Sequence, residues 1–269
     1  IQAEDLPEGK YIVVVTATDN CGNIENLNLD IWKDTTTPTI TPSIPNTNPE
    51  QSKDITLVPT AGASGVSKVE IKIGDNWVEV TPDTNNKYVY NVTENGEYPV
   101  RVTNGAGVTA ENSITIDSID KSTPSLVVTA KTSDNASYDG SWTNKTVTIT
   151  ATNGNSSQLG ETTYKYRVVG SDEWLDMPGG VITVESNTNA TYEFKAISAA
   201  GVESESKTQA VKIDKTAPTG TVNVDDPWWQ EILEDVEFGL YKKDAFTEEI
   251  TSADEGGSGV KSVKYFVDI

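Results

Sequence analysis

At 269 residues the chain has room for about two domains of roughly 100 to 200 residues each. Its 41 Asp and Glu against 20 Lys and Arg leave a net charge of −21, a surface that repels phosphate backbones and anionic lipid heads and so argues against nucleic acid or a membrane surface as partner. Histidine is absent and Cys21 is the single cysteine, which removes the Ser/His/Asp triad, the Cys/His pair, an intrachain disulfide and any His-liganded or thiolate-cluster metal site together.

In chain order, the run Tyr11-Ile12-Val13-Val14-Val15-Thr16 is β-branched and reads as a buried strand, closed by the turn residues Asp19, Asn20, Gly22 and Asn23. A second strand over residues 27–32 alternates and then meets Asp34-Thr35-Thr36-Thr37-Pro38. The same succession returns as strands over 98–103 and 113–116 before Asp120-Lys121-Ser122-Thr123-Pro124. It returns again over 192–197 and 208–213 before Asp214-Lys215-Thr216-Ala217-Pro218. In each copy the Asp carboxylate is placed to accept from the backbone N–H two residues on, and the Pro forces the residue before it into an extended conformation. From the tyrosines at 11, 98 and 192 to these prolines the distances are 27, 26 and 26 residues, and the prolines themselves are 86 and 94 residues apart. This is an internal repeat.

After each Pro the order of events also repeats. A β-rich lead-in (126–130; 221–224) is followed by a polar loop and an alternating strand (54–58; 145–150). Next comes a Gly/Ser loop, Gly62-Ala63-Ser64-Gly65-Val66 or Gly256-Gly257-Ser258-Gly259-Val260. Hairpins then turn through Gly74-Asp75-Asn76 into Trp77, and through 170–173 into Trp174. Alternation predicts one wet and one buried face per strand, and the six or seven short strands per repeat predict an all-β chain of tandem immunoglobulin-like antiparallel sandwiches in an elongated array. Residues 228–240 show a weak helical spacing, but Pro227 and the alternation from Val236 to Leu240 favour a loop and strand. The expected divisions are 1–37, the C-terminal strands of a partial domain; 38–121 and 122–215, whole domains; and 216–269, the N-terminal half of another. The two end pieces together make one period, as in a segment of a longer array, their open faces completed by neighbouring sequence or by a second molecule head to tail.

The Asp-x-[Ser/Thr]-x-Pro junctions, the Ser64-Gly65-Val66 and Ser258-Gly259-Val260 strand starts, and the Ala199-Ala200-Gly201-Val202 turn make the chain similar to bacterial immunoglobulin-like repeats. These are tandem modules of large extracellular and wall-attached proteins, particularly in Gram-positive organisms. The resemblance covers essentially the whole chain, and its motifs specify turns and junctions rather than a chemistry. It implies a stalk or spacer holding adjacent domains of the same longer chain, or an adhesin or carbohydrate-binding module, accessory in some cases to a secreted glycan-degrading enzyme. Glycans or host surface proteins are the partners it suggests. Scarce cysteine suits that setting.

Trp228 and Trp229, beside Asp225 and Asp226, form the first candidate sugar platform, since indoles stack on sugar faces and carboxylates bind hydroxyls; the competing role is packing over the junction behind them. Trp142 and Tyr138, in a polar loop, are the second. Trp77 and Trp174 recur at one place, which argues for packing at an edge. The segment 19–23 has the oxygen-rich look of a calcium loop. Calcium, however, needs six to eight oxygens, each junction Asp (34, 120, 214) supplies one carboxylate, and the corresponding loops from 104 and 198 carry no acid; turn chemistry is the preferred reading and no metal or cofactor is expected. A carboxylate pair could hydrolyse a glycoside, yet none stands out among so many acids, and no enzyme activity is expected. An internal Lys–Asn crosslink is open to surface domains of this kind, with no sequence feature singling out a pair. Nothing spans a membrane, and no signal peptide or lipidation motif is visible.

Overall fold

The computed structural model describes residues 5–155, 157–224 and 248–265. Its strands are β1 (Gly9–Thr18), β2 (Ile24–Lys33), β3 (Thr39–Ser43), β4 (Lys53–Thr60), β5 (Val66–Ile73), β6 (Asn76–Glu79), β7 (Tyr88–Val92), β8 (Gly96–Asn104) and β9 (Thr109–Ile116). They continue as β10 (Leu126–Thr132), β11 (Val147–Asn153), β12 (Thr163–Val168), β13 (Leu175–Asp176), β14 (Val181–Val184), β15 (Thr188–Ile197), β16 (Lys207–Ile213), β17 (Thr219–Val224) and β18 (Glu248–Ala253). Among the described residues no helix is long and apolar enough to cross a membrane.

Two compact units emerge. One holds Ile1–Thr123 with Ser156–Thr162 and Ser198–Val202; the other holds Pro124–Asn155, Thr163–Ile197 and Glu203–Ile269. In the first, β3–β4–β7 form a three-stranded antiparallel sheet and β6–β5–β8–β9 a four-stranded one. Ile40, Ile55 and Leu57 from one sheet and Val69, Ile71, Val100 and Val102 from the other share one buried cluster, as the two inner faces of a sandwich do. The second unit repeats the arrangement with β10–β11–β14 and β13–β12–β15–β16 around Val147, Ile149, Phe194, Ala196, Val211 and Ile213. Seven antiparallel strands split three and four, with chain order crossing between sheets, is an immunoglobulin-like sandwich, and the described residues hold two of them in tandem. In each, the loop after the first strand also pairs in parallel with the end of the last: Glu50 with Ile119, and Thr143 with Ile213.

Tyr11, Tyr98 and Tyr192 stand at matching places. The first two donate their hydroxyls to a carbonyl four residues upstream, Tyr11 to Pro7 at 2.7 Å and Tyr98 to Glu94 at 2.6 Å, which is the corner that fixes where such a strand begins. Tyr192 is occupied differently, 6.4 Å from the ring of Tyr166.

Two expectations need correction. The run from Tyr11 reads as a buried strand, but Ile12, Val14 and Val15 are more than half exposed. β1 pairs only with β2, and no second sheet covers that hairpin among the described residues, whereas the corresponding Val100, Val102, Phe194 and Ala196 are at 0% exposure under an opposing sheet. Alternation also fails at β5, where Val69, Glu70 and Ile71 are all buried. Glu70 is covered because Lys68 (2.6 Å) and Arg101 (2.7 Å) close over it, and Arg101 lies 4.1 Å above the Trp77 ring.

Candidate functional site: the repeated joint

The feature these elements position most consistently is the segment after β2, β9 and β16. Its Asp is buried in every copy, with Asp34 at 4% exposure and Asp120 and Asp214 at 7%. One carboxylate oxygen accepts from the N–H two residues on: Thr36 at 3.0 Å, Ser122 at 2.8 Å and Thr216 at 3.0 Å. That much the turn chemistry predicts. The other oxygen reaches a loop far ahead in sequence, accepting from the N–H of Ser64 (2.8 Å), Leu159 (2.8 Å) and Ser258 (3.1 Å). Ser64 Oγ adds a 2.5 Å bond to Asp34 and itself accepts from the Ala106 N–H at 3.2 Å, tying the joint to the β8–β9 turn.

The main chain of each joint is gripped from behind. Glu8 accepts from the Thr35 N–H (2.8 Å) and hydroxyl (2.7 Å); Asn95 exchanges two 2.8 Å bonds with the Ile119 main chain; Asn187 accepts from the Lys215 N–H at 2.8 Å and donates to Thr216 Oγ1 at 2.7 Å. All three gripping residues lie a few positions before the matched tyrosines. The Asp120 and Asp214 N–H groups are held in turn by the carbonyls of Glu50 and Thr143, both at 2.9 Å. So the backbone of the Asp belongs to the strands before it, while its side chain belongs to the loop after it.

These donors hold the Asp34 carboxyl below its ordinary range, chiefly through Ser64, and Asp214 likewise through Ser258. For Asp120 burial pushes upward, but the Ser122 hydroxyl and the Leu159 and Ser122 N–H groups outweigh it and the net displacement is downward. A depressed folded value means that the bonds contribute fully above the unfolded carboxylate value of about 3.9 and are lost as pH falls through the lower folded one. Melting temperature followed against pH is therefore expected to drop more shallowly below about pH 4 in the Asp34→Asn, Asp120→Asn, Asp214→Asn variant than in the parent.

The segment at 19–23 is a turn of the same build as two others. Asp19 accepts at Oδ1 from the Cys21 and Asn23 N–H groups (2.8 and 2.9 Å) and at Oδ2 from Asn23 Nδ2 (2.7 Å), which holds its carboxyl low, the Asn23 side chain contributing most. Asn104 Oδ1 receives the Ala106 and Val108 N–H groups, and Ser198 Oγ the Val202 N–H, at the matching position of their hairpins. Both Asp19 oxygens are thus committed to the turn. Among the described residues no three His, Cys, Asp or Glu side chains converge as a metal ion would need.

Of the candidate stacking residues, Trp228 and Trp229 lie outside the described residues. Tyr138 is not a surface platform: it is 8% exposed in the second core, and its hydroxyl accepts from the Lys212 N–H at 2.8 Å, a bond that pins the loop before β11 onto β16. Trp142 is half-buried, and a side chain added at Gly257 would meet its ring at 3.3 Å, so the indole flanks the loop that receives Asp214. Trp77 and Trp174 each lie under cations, Trp174 below Arg167 (4.6 Å) and Lys195 (4.7 Å). The cross-strand pair beneath has its charges exchanged between repeats, Glu70 opposite Arg101 in one and Arg167 opposite Glu193 in the other.

Sequence reasoning missed the receiving loops as partners of the Asp. The repeated Gly-x-Ser-Gly-Val at 62–66 and 256–260 was the available signal, and the middle copy, Ser157-Gln158-Leu159-Gly160, blurs it. It also missed Lys53, whose side chain is wholly buried with its ammonium against Asn48 O (2.6 Å), Asn46 Oδ1 (3.1 Å), Asn46 O (3.4 Å) and Glu50 (3.2 Å).

No protein-family model matches the chain, and no curated protein matches it. Among solved structures it is similar to fibronectin(III)-like modules of Clostridium thermocellum CbhA, at 17% identity and a TM-score of 0.33 over 65% of this chain and 94% of that one. It is similar also to titin domains A168–A170, at 13% identity and a TM-score of 0.40 over 79% and 77%. A third likeness is to a 1.5-MDa bacterial ice-binding adhesin, at 16% identity and a TM-score of 0.39 over 77% and 74%. At these values the fold rests on the strand order described above, which makes this a chain of tandem immunoglobulin-like domains.

Proposed function

We propose that the chain is a non-catalytic spacer of an extracellular or cell-surface protein, whose work is to hold adjacent domains of the same longer chain in place. The observation that carries this reading is the recurrence of one bonding scheme at three joints. Asp34, Asp120 and Asp214 use the same two oxygens on the same two kinds of backbone N–H, so the part of the repeat that is built most reproducibly is the connection. A binding module reproduces a ligand surface instead, whereas the cross-strand ion pair at the matched position has its charges exchanged between the two sandwiches, Glu70/Arg101 in one and Arg167/Glu193 in the other.

The rival reading, an adhesin or glycan-binding module, rests on Trp142, which remains half-exposed beside the Gly257 loop. A panel of glycans and host matrix proteins separates the two. The spacer gives no signal above a scrambled control. A saturable signal lost on Trp142→Ala would replace the spacer by a binder.

A further inference from the structure

We infer that Asp34 is an orientation lock: by bridging a main chain fixed to the β1–β2 hairpin and the loop between β4 and β5, it holds the angle between that hairpin and the sandwich that follows it. The inference does not depend on the spacer reading, because a binder with locked joints and a spacer with locked joints are both coherent molecules.

A Pro-containing linker by itself fixes only part of its backbone. Pro38 restricts Thr37 and its own φ, but residues 35 and 36 keep their torsional freedom. The structure removes that freedom with bonds from both sides. Behind, Glu8 holds Thr35 through its N–H and hydroxyl. Ahead, Asp34 reaches Ser64, and Asn104 Nδ2 donates to the Thr36 carbonyl at 3.2 Å. The torsions between Lys33 and Pro38 are therefore bracketed by contacts to β1–β2 on one side and to the β4–β5 and β8–β9 loops on the other. A buried carboxylate is the strong choice for such a bridge, since charge-assisted bonds to N–H groups are about twice as strong as neutral ones.

A second observation comes from the glycines. Gly62 is not in a left-handed conformation, so nothing in its own backbone demands glycine. A Cβ there would overlap the Asp34 carboxylate and fall 2.8 Å from Thr36 Cβ. Gly256 stands in the same relation to Asp214, whose carboxylate supplies all three of its nearest atoms. The loop is shaped to seat the Asp. That is what a socket requires and what a merely turn-forming Asp would not.

The test uses the full chain. Spin labels are placed on Cys21, exposed at the tip of β1–β2, and on Thr115→Cys, exposed on β9, and the interlabel distance distribution is measured by pulsed dipolar spectroscopy. A control pair, Asp75→Cys with Thr115→Cys in a Cys21→Ser background, lies within the first sandwich. The expected result is a narrow Cys21–115 distribution in the parent, widened roughly twofold by Asp34→Ala as the linker regains its freedom, with the control pair unmoved. If Asp34→Ala disturbs the control pair, Gly62→Ala decides: it keeps the carboxylate but fills its seat, and the same widening is expected. A parent distribution already as broad as that of the variants, or variants no broader than the parent, overturns the lock. Loss of the lock would leave the glycan and matrix panel unaffected, so the two readings fail separately.

Discussion

Replacing Lys53 with Ala is expected to destabilise the first sandwich by about 3 kcal/mol, lowering its melting temperature by roughly 12–24 °C. The physical reason is that Lys53 does what apolar residues do elsewhere in the core and something more. Its stem fills space beside Ile55 and Val92 at the start of β4, and its ammonium satisfies the main-chain carbonyls of Asn46 and Asn48 and the Asn46 side chain, with Glu50 supplying the counter-charge. Truncation leaves a cavity and strips those carbonyls of a donor in a region water enters poorly. Glu50 suffers least, because its side chain is 43% exposed and rehydrates. Lys53→Met restores most of the volume without the charge, so the share of the loss that Met recovers measures packing and the remainder measures the ammonium cage. The same geometry bears on the crosslink that surface domains of this kind could carry. Glu50 is held ionised, chiefly by Asn46 and then by Lys53, and an ammonium whose three N–H groups are shared among four surrounding oxygens offers no lone pair to the Asn46 carboxamide. The intact mass is therefore expected to equal the sum of the residues, with no ammonia lost from this pair.

Half of the joint was legible in the sequence and half was not, for a reason of distance. The bond from Asp34 to the Thr36 N–H is made within the turn, so the spacing Asp-x-Thr-x-Pro carries it. The bond to Ser64 closes a 30-residue loop, and those from Asp120 and Asp214 span 39 and 44 residues. Moreover the donor is a main-chain N–H, which every residue but Pro has; Leu159 performs the task without any side-chain signature. Tyr138 shows the same limit in reverse. Its polar neighbours suggest a surface loop, and only a partner 74 residues away explains why its ring turns inward. Much of the succession of strands along the chain was readable because period-two alternation and turn residues are local. Short strands such as β7 and β14 lack that length of signal, and the covering of Glu70 depends on Arg101 arriving from β8.

Lys53 and Phe194 mark the two sandwiches separately, and this makes the division of the chain at the second joint testable. Phe194→Ala is expected to cost the second sandwich about 3–5 kcal/mol, a large part of the roughly 5–15 kcal/mol that holds an ordinary domain together. The ring sits at 0% exposure on β15, 6.5 Å from Tyr166, in the core shared with Met177, Ile149 and Val211. Its neighbour on the same face, two residues on, is Ala196, also at 0% exposure, so the ring carries volume that no adjacent large side chain can replace by a small shift. In the first sandwich Val100 and Val102 share the corresponding load, so truncating either one should cost less than Phe194→Ala. Followed by calorimetry, Phe194→Ala should lower one transition and leave the other in place, while Lys53→Ala lowers the other. If both substitutions moved a single common transition, the two sandwiches would unfold as one cooperative body and the division would fail.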